Sequence, residues 1–447
     1  MKQIEEIINK QREFFNSRKT ININFRIEQL KKLKKLILNN QQEIIDAAKK
    51  DLNRPEDETF ISEIFLCINE INFALKNIKN WTKLSRVKTP YYLWPSKSYT
   101  YAQPYGVTLI ISPWNYPFQL TINPLIGAIA AGNCSILKPS EISQNSSKII
   151  YKLFSENFDP EFIAVIEGGI PESEFLLQQK FDYIFFTGSP RVGKIVMKAA
   201  AENLTPLTLE LGGKNPCIID ETSDLDLASK YIAWGKFLNA GQSCIAPDFL
   251  LISEKIKDNF IEKLIFYIKK FYGENSQQNK NYGRIINQKH LARLSELLKE
   301  GKIIYGGSFN DKDLYFEPTL IESDTNEEVF GPVLPIISFL DKKNIFDILK
   351  HNTKPLAIYL FSKDKKLQKK LIYNTSSGAI CFNDLIIQVS NPNLPFGGIG
   401  NSGFGKYHGK YSFDAFSNKK AIIYSRNRFN LNFRFSKIFT KLLKKIL

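Results

Sequence analysis

Residues 107–140 read VTLIISPWNYPFQLTINPLIGAIAAGNCSILKPS, and the fold class can be predicted from the pattern of this segment. Short apolar runs at residues 107–111 and 135–137 have the length of buried strands, and a segment of helical character separates them. Similar runs follow at residues 163–166 and 183–186. Strands that alternate with helices in this way predict a doubly wound parallel sheet.

A second series of buried runs follows Glu210. It comprises residues 217–219, 249–252, 333–339, 357–361 and 379–382. We therefore predict an α/β protein with two doubly wound parallel-sheet domains. A cleft between two such domains is the expected place for a small-molecule site.

The first hundred residues have a different character. Ile27, Leu30, Leu33 and Ile37 recur at helical spacing, so this part of the chain predicts helices. Residues 91–105 are rich in aromatic residues and prolines, which predicts an extended segment rather than a regular helix.

The last residues of the sequence predict a basic amphipathic helix. Its apolar face consists of Ile438, Phe439, Leu442, Leu443 and Ile446, and its charge comes from Lys437, Lys441, Lys444 and Lys445. Such a helix suits an acidic membrane surface. It equally suits packing on the protein's own surface or on a partner subunit, and the sequence favours packing.

Composition limits the classes of function. The chain has 447 residues, a hydrophobic fraction of 43% and a net charge of +16, which fits a globular protein of two or three domains. Its lysines are spread along the whole chain, so we interpret the excess charge as a solvated surface. The sequence lacks a module of the kind that binds DNA or RNA, and we expect no nucleic-acid partner.

Cysteine and histidine usage argues against disulfides and metals. The five cysteines have no paired short spacing, which indicates a reducing compartment. The three histidines are far apart and offer no metal-ligand spacing. The charged start is unlike a signal peptide, and no apolar run approaches the roughly 20 residues of a membrane-spanning helix. We therefore expect a cytoplasmic protein without a metal site.

Three residues make a set that suits chemistry at a carbonyl carbon. Cys244 lies among small and polar residues in NAGQSCIAP, Glu210 precedes a glycine pair in LELGGK, and Asn115 lies between prolines in PWNYP. Each has a structural alternative: a buried thiol, a surface carboxylate and a turn residue. Together they offer a nucleophile, a general base and an amide donor, so we favour catalysis. Cys134 and Cys217 lie in strand runs and are interpreted as core residues.

These segments resemble the aldehyde dehydrogenase superfamily. Further matching motifs are ILKPSE at 136–141, FTGSPRVG at 186–193, EEVFGP at 327–332 and LPFGGIGNSG at 394–403. The resemblance extends from about Val107 to about Phe416. The short N-terminus, PWNYP and the run GKYSFDAFS at 409–417 are similar to the class 3 branch, which handles medium- and long-chain fatty aldehydes and aromatic aldehydes.

The resemblance implies a role for each of the three residues. Cys244 would attack the aldehyde carbon, while the side-chain amide of Asn115 and the backbone N–H of Cys244 would stabilise the oxyanion. Loss of hydride to the nicotinamide would leave a thioester. Glu210 would then activate the water that hydrolyses the thioester to a carboxylate.

The resemblance also implies a dinucleotide site, with NAD as the favoured cofactor and NADP as the alternative. A glycine-bearing turn at a helix N-terminus suits a pyrophosphate, although its spacing is not G-x-G-x-x-G. The cofactor-binding residues implied are Gly188, Ser189, Pro190, Arg191, Val192 and Gly193 in the turn, Trp114 beside the pyrophosphate, Lys138 and Glu141 at the adenosine ribose, and Glu328 and Phe330 at the nicotinamide ribose and ring.

The expected organisation has three parts. Residues 1–209 would form the N-terminal helices and a Rossmann-like cofactor domain, and residues 210–400 would form the catalytic domain. Residues 401–447 would return to a small oligomerisation extension and end in the basic tail. By resemblance to class 3, we expect a homodimer in which residues 91–105 reach a partner subunit.

One departure and several rival functions stay open at this stage. The segment before Glu327 is several residues shorter than in relatives and lacks a methionine found there, which could change how the nicotinamide is bound. A CoA-acylating dehydrogenase would not need the base at Glu210, and a semialdehyde dehydrogenase would need a charged tunnel residue that we do not identify. Tyr116 and Trp234 suit an apolar tunnel instead. A non-enzymatic protein on the same fold would be expected to have lost part of the catalytic set.

Overall fold

The structure is a computed structural model that describes residues 1–324, 327–351, 354–425 and 437–444. Its helices are α1 Lys2–Asn16, α2 Ile23–Asn39, α3 Gln41–Leu52, α4 Glu56–Thr59, α5 Leu66–Trp81, α6 Gln119–Ala131, α7 Gln144–Asn157, α8 Ile170–Gln178, α9 Pro190–Glu202, α10 Leu225–Phe237, α11 Lys257–Tyr272, α12 Gln288–Leu297, α13 Lys342–His351, α14 Lys365–Asn374, α15 Lys410–Ala415 and α16 Lys437–Lys444.

The strands include every run that the sequence predicts. They are β1 Ser85–Val87, β2 Lys97–Pro104, β3 Val107–Ile111, β4 Cys134–Lys138, β5 Ile163–Val165, β6 Tyr183–Gly188, β7 Leu207–Leu211, β8 Pro216–Ile219, β9 Phe249–Ser253, β10 Lys302–Tyr305, β11 Phe309–Asn310, β12 Tyr315–Phe316, β13 Thr319–Glu322, β14 Val333–Phe339, β15 Ala357–Phe361, β16 Ala379–Phe382, β17 Gly403–Phe404 and β18 Ser417–Tyr424.

The first large sheet has the strand order β17-β7-β6-β3-β4-β5. The neighbouring strands from β7 to β5 are parallel, and the short β17 is antiparallel to β7. The chain moves from β3 to β4 and β5 on one side and then to β6 and β7 on the other. The crevice at the carboxyl ends of β3 and β6 is therefore a topological switch point, where open α/β sheets bind ligands.

The second large sheet has the order β10-β13-β14-β9-β8-β15-β16. The neighbours from β13 to β16 are parallel, and β10 pairs with β13 in the antiparallel sense. Helices α10 and α11 lie between its strands in the sequence, as crossover connections require. The prediction of an α/β protein with two parallel sheets is confirmed.

The boundary between the two sheets differs from the one we predict. Glu210 is paired with Thr187 in the first sheet, because β7 runs from Leu207 to Leu211. A division between residues 209 and 210 therefore falls inside a strand. The sheet pairing moves it to the segment between Leu211 and Pro216, so Glu210 belongs to the first sheet and Cys244 follows the second sheet's first strand.

A smaller sheet brings distant parts of the chain together. Strand β18 pairs with β2 along its whole length, from Ser417 opposite Pro104 to Tyr424 opposite Lys97, and β1 lies on the other side of β2. The predicted extended segment thus contains a strand. Its partner β18 has one unpaired edge in the described sheet.

The N-terminal helices pack as the apolar spacing predicts. Leu30, Leu33 and Ile37 of α2 are fully buried, so the helix presents this face to the core. A π-helix at Phe60–Phe65 joins α4 to α5, and such segments are frequent near functional sites. Its Glu63 points inward and is fully buried.

The predicted C-terminal tail is partly described. Helix α16 lies within it, while Ile446 and the side chains of Ile438, Phe439, Leu442 and Leu443 lie outside the described residues. The apolar face of the tail therefore stays a prediction. Among the helices in the described ranges, none is long and apolar enough to cross a membrane.

Candidate active site

A cleft with a volume of about 660 Å³ lies where the two sheets meet. The predicted site residues that line it are Trp114, Asn115, Gly188, Ser189, Pro190, Arg191, Glu210, Cys244, Glu328 and Phe330. Residues from both sheets and from widely separated positions in the chain thus converge on one space. The cleft lies beyond the carboxyl ends of β3 and β6, at the switch point described above.

Four predicted cofactor residues do not line this cleft. Gly193 is buried in α9, and a Cβ at this position would lie 2.8 Å from Leu211 Cδ2, so glycine allows the helix to approach β7 closely. Val192 donates its backbone N–H to Ser189 Oγ over 3.4 Å. These two residues shape the turn rather than form its surface.

Lys138 and Glu141, the other two, lie together at the carboxyl end of β4, of which Lys138 is the last residue. Lys138 Nζ donates to the carbonyl oxygen of Pro139 over 2.9 Å and lies 3.7 Å from Glu141 Oε2. Burial lowers the pKa of Lys138, and the charge of Glu141 opposes that change. Lys138 is buried, whereas the Glu141 side chain is 46% exposed, so the carboxylate is the accessible member of the pair.

The loop that carries Cys244 is bent and tightly held. Asn239 and Ala240 have positive φ angles of 51° and 50°, a conformation that costs energy in residues with a side chain. Asn215 Nδ2 donates to the carbonyl oxygens of Cys244 and Ala246 over 2.7 and 3.1 Å. Gly241 lies against the backbone of Gly331, where a Cβ would clash. The strain is therefore compensated by contacts that fix the position of the cysteine.

The Cys244 thiol is half-buried, and the surroundings disfavour its thiolate. Burial raises the pKa of Cys244 to about 12, and the nearby carboxyl groups of Glu210 and Glu328 act in the same direction. The thiol is therefore protonated near neutral pH. Nucleophilic attack requires a group that removes its proton or a cation that stabilises the thiolate.

Glu210 offers a carboxyl group that nothing in the described structure binds. Both carboxyl oxygens are buried and lack a hydrogen-bond partner among the described residues. Burial raises the pKa of Glu210 well above its ordinary value, and the charge of Lys406 opposes the rise. A buried polar group without a partner carries a large free-energy cost, and such groups are frequent where a ligand or water binds.

Asn115 is fixed through its side chain and its backbone carbonyl oxygen. Its Nδ2 donates to the carbonyl oxygen of Gln242 over 3.1 Å, and its own carbonyl oxygen accepts from Asn239 Nδ2 over 3.0 Å. One of the two N–H bonds of the amide is thus used within the protein, and the second is available for a ligand. These bonds connect the loop after β3 directly to the cysteine loop.

Arg54 is the buried centre of this connection, and no pattern in the sequence distinguishes it. Its guanidinium donates to Asn239 Oδ1 over 3.1 Å, to Glu63 Oε1 over 2.5 Å and to the carbonyl oxygen of Asn115. It also lies 4.6 Å from the centre of the Tyr116 ring. Arg54 stands in a polar stretch that looks like a helix terminus, so only the three-dimensional contacts identify it.

The predicted tunnel residues Tyr116 and Trp234 differ in their surroundings. The Tyr116 hydroxyl is hydrogen-bonded to Ser243, the residue before Cys244. Trp234 is 41% exposed on α10 and does not line the cleft. Tyr116 is therefore part of the cysteine's immediate surroundings, whereas Trp234 is a surface residue of the described chain.

Aromatic rings form one wall of the cleft. The ring of Trp114 meets the ring of Phe330 edge-on at 5.4 Å and lies 4.9 Å from the imidazole of His290. Burial lowers the pKa of His290 to about 4, so this histidine is neutral near pH 7. His290 was not predicted, because a lone histidine in the sequence has no distinguishing pattern.

Glu328 is held by backbone and by charge. Its Oε1 accepts from the Gly213 N–H over 3.0 Å, and a Cβ at Gly212 would lie 2.3 Å from Glu328 Oε2, so a larger residue at position 212 would displace the carboxylate. Burial and the neighbouring Asp248 raise the pKa of Glu328 to about 7. Arg293, a second residue that we did not predict, donates to the Glu328 and Val329 carbonyl oxygens over 3.2 and 2.6 Å.

The shortened segment before Glu327 includes residues 325 and 326, which lie outside the described residues. Its effect on a cofactor therefore stays a prediction. In the described ranges, no group of three or more His, Cys, Asp or Glu residues has the arrangement to hold a metal ion.

Comparison with known proteins places these features in context. The sequence model of the Aldehyde dehydrogenase family matches residues 1–422. The chain is 47% identical over 436 residues to the 4,4'-diaponeurosporen-aldehyde dehydrogenase of Staphylococcus aureus, covering 96% of this chain and 95% of that protein. It is 43% identical over 429 residues to the dimeric NADP-preferring aldehyde dehydrogenase of Mus musculus, covering 95% of each.

A solved structure agrees over nearly the whole fold. The substrate-bound state of Staphylococcus aureus AldH matches this chain with a TM-score of 0.94 at 45% identity. The match covers 98% of this chain and 99% of that one.

Proposed function

This chain belongs to the aldehyde dehydrogenase family and oxidises an aldehyde to the carboxylic acid, and we propose that Cys244, Glu210 and Asn115 carry out that reaction. The observation that carries the proposal is their convergence on one cleft. A thiol, a carboxyl group without partners and an amide with a spare N–H are what the reaction requires of the protein.

Cys244 is the proposed nucleophile. As the sulfur bonds to the aldehyde carbon, the thiol proton passes to water, and the oxygen of the resulting tetrahedral thiohemiacetal carries a negative charge. The free N–H of the Asn115 amide and the Cys244 backbone N–H donate to this oxyanion. The hydrogen bonds to Gln242 and Asn239 hold Asn115 in place before the substrate arrives. Such preorganisation places the donor without a cost at the moment of reaction.

Bound NAD or NADP supplies the acceptor for the hydride that leaves the thiohemiacetal. The thioester that remains on Cys244 is hydrolysed by a water from which Glu210 takes a proton. The unpartnered carboxyl oxygens of Glu210 leave it free to bind that water. A CoA-acylating enzyme would have no use for such a base, so the presence of Glu210 supports hydrolysis.

The cleft also suits a dinucleotide, because the turn after β6 lines it. Thr187 Oγ1 is buried without a hydrogen-bond partner among the described residues and lines the cleft, and the turn from Gly188 to Arg191 follows it. We propose that Trp114 and these turn residues lie along the pyrophosphate and that Phe330 and Glu328 contact the nicotinamide and its ribose.

We propose that NAD is preferred over NADP. The accessible Glu141 carboxylate can accept hydrogen bonds from free ribose hydroxyls, and its charge would repel a 2′-phosphate. Because the mouse relative is named NADP-preferring, the ratio of kcat/KM for the two cofactors decides this point. A Glu141→Gln variant should move the ratio toward NADP.

We propose a medium- or long-chain aliphatic aldehyde or an aromatic aldehyde as substrate. The similarity to a relative named 4,4'-diaponeurosporen-aldehyde dehydrogenase supports an aldehyde of this class.

The test is NAD(P) reduction by the purified protein with saturated aldehydes of increasing chain length, with and without CoA. We expect turnover without CoA that rises with chain length and is absent in a Cys244→Ala variant. Turnover that depends on added CoA would replace the proposal by the acylating reaction. Preference for short, charged aldehydes would overturn the substrate class alone.

We also propose that the chain forms a homodimer in the cytoplasm and that its C-terminal tail makes a peripheral contact with a membrane surface. Support for the dimer comes from the mouse relative, which is named dimeric, and from the unpaired edge of β18. Light scattering of the purified chain measures its molar mass in solution and so tests the homodimer. Sedimentation with acidic vesicles, compared between the full chain and a chain that ends at Ser425, measures whether the tail binds lipid.

A further inference from the structure

We infer that Lys406 is a positioning residue for Glu210: it ties the backbone under the carboxyl group and supplies the positive charge that lets this group ionise during hydrolysis. The inference rests on the proposed role of Glu210 as the base. Lys406 lies just after β17, in a part of the chain that the motif analysis did not connect with catalysis.

The first observation is that Lys406 and Glu210 meet at the same glycine. A Cβ placed on Gly397 would lie 2.7 Å from Glu210 Oε1 and 3.0 Å from Lys406 Cδ. Gly397 has a φ of 150°, and no other residue type fits this space. The carboxyl group and the lysine stem therefore pack against the same piece of backbone.

The second observation is the attachment of the ammonium group. Lys406 Nζ donates to the carbonyl oxygens of Gly397 and of Gly398, the latter over 3.0 Å. Strand β17 completes the enclosure, because Gly403 is the register partner of Glu210. Lys406 thus fixes the backbone that limits where the carboxyl group can move.

The third observation concerns charge. The side chains that share an electrostatic interaction with Glu210 are Lys406, Cys244, Tyr183 and Tyr407. Burial raises the pKa of Cys244 and of both tyrosines, so these three are neutral near pH 7. Among the described residues Lys406 is therefore the cation that opposes the effect of burial on Glu210.

This arrangement resolves a conflict in the site. A base must be ionised before it can take a proton from water, yet a buried carboxyl group without hydrogen bonds favours the protonated form. A cation fixed near the carboxyl group favours the ionised form of Glu210. It does so without an ion pair that would occupy the carboxyl oxygens and exclude the water. Lys406 can do so because its own hydrogen bonds go to backbone carbonyls.

The experiment compares four single variants through the pH dependence of kcat and the pre-steady-state burst of reduced cofactor. Lys406→Gln keeps a donor for the glycine carbonyls but removes the charge, and Lys406→Arg keeps the charge. Lys410→Gln removes the same charge from a neighbouring exposed lysine that pairs with Asp414. Glu210→Gln tests the base itself. Thermal melting verifies that each variant is folded.

We expect Lys406→Gln to keep the burst amplitude, to lower kcat about tenfold at pH 7 and to move the acid limb of the kcat profile about one pH unit upward. Lys406→Arg and Lys410→Gln should retain the wild-type profile. An unchanged acid limb in Lys406→Gln, or the same loss in Lys406→Arg, would overturn the inference and leave a structural role only.

The Glu210→Gln variant separates this inference from the proposed function. If it blocks turnover after the burst while Lys406→Gln keeps the wild-type profile, the inference about Lys406 fails alone. If Glu210→Gln turns over normally, the role of Glu210 as the base fails, and the inference about Lys406 fails with it.

Discussion

Replacing Arg54 by methionine would remove a cation from the interior and leave Glu63 without its partner. The Arg54 and Glu63 side chains are almost fully buried, at 0% and 1% exposure, and their nearest atoms are 2.5 Å apart. Breaking a buried ion pair from one side costs about 3–5 kcal/mol. Glu63 keeps the N–H groups of Phe118 and Gln119, each at 2.8 Å, so we expect about 3 kcal/mol for Arg54→Met.

The pH dependence has a definite sign. Burial raises the pKa of Glu63 in the folded chain above its ordinary value of 4.5, and Arg54 opposes the rise. Without Arg54 the folded pKa moves further up, so the folded state of the variant binds a proton that the unfolded state releases. The variant therefore loses stability as pH rises through the folded pKa of Glu63 and regains part of it in acid.

The assay is urea unfolding of Arg54→Met, Glu63→Gln and the double variant at pH 6 and pH 8. The double variant should recover part of the loss, because a neutral amide replaces the unpaired carboxylate while still accepting from the two N–H groups. A loss below about 1 kcal/mol in the free energy of unfolding of Arg54→Met would show that the ion pair with Glu63 does not stabilise the fold. A double variant whose loss equals the sum of the two single losses would show the same.

Three further outcomes follow from the site. Asn115→Ala should lower kcat by a factor of about 10²–10³ with little change in KM, because the amide acts on the oxyanion; an unchanged kcat in steady-state assays would contradict this role. Ser189→Ala should cost about 0.5 kcal/mol and raise KM for the cofactor, since the cap bond to Val192 is long at 3.4 Å. Iodoacetamide should modify Cys244 before the four buried cysteines, and faster as pH rises toward about 12; peptide mass spectrometry identifies the labelled residue.

Much of the fold was predictable because burial leaves a local pattern. The strand runs at residues 107–111 and 357–361 are short, mostly apolar and each followed by a serine, and both form strands with those bounds. The predicted domain boundary after residue 209 falls inside β7, because the Leu-Glu-Leu pattern belongs both to a strand and to the motif that contains Glu210. The sequence alone does not say with which sheet such a strand pairs.

The three proposed catalytic residues could be selected from the sequence because each lies in a distinctive motif, whereas the residues that hold them in place could not. Arg54 contacts Asn239 across 185 positions in the sequence, and nothing local distinguishes it from a surface arginine. Lys406 could not be selected from the sequence either, because the chain contains 61 lysines and arginines. His290 and Arg293 are brought to the cleft by α12, whose position depends on the packing of the second sheet.

The central claim is that the reaction passes through an acyl group on Cys244 that Glu210 helps to hydrolyse. Mixing Glu210→Gln with aldehyde and excess NAD(P), then measuring intact mass and reduced cofactor, tests this directly. We predict one equivalent of reduced cofactor per subunit, then a halt, with the acyl mass on the peptide that contains Cys244. Continued turnover in this variant, or an acyl group on any other residue, would contradict the account.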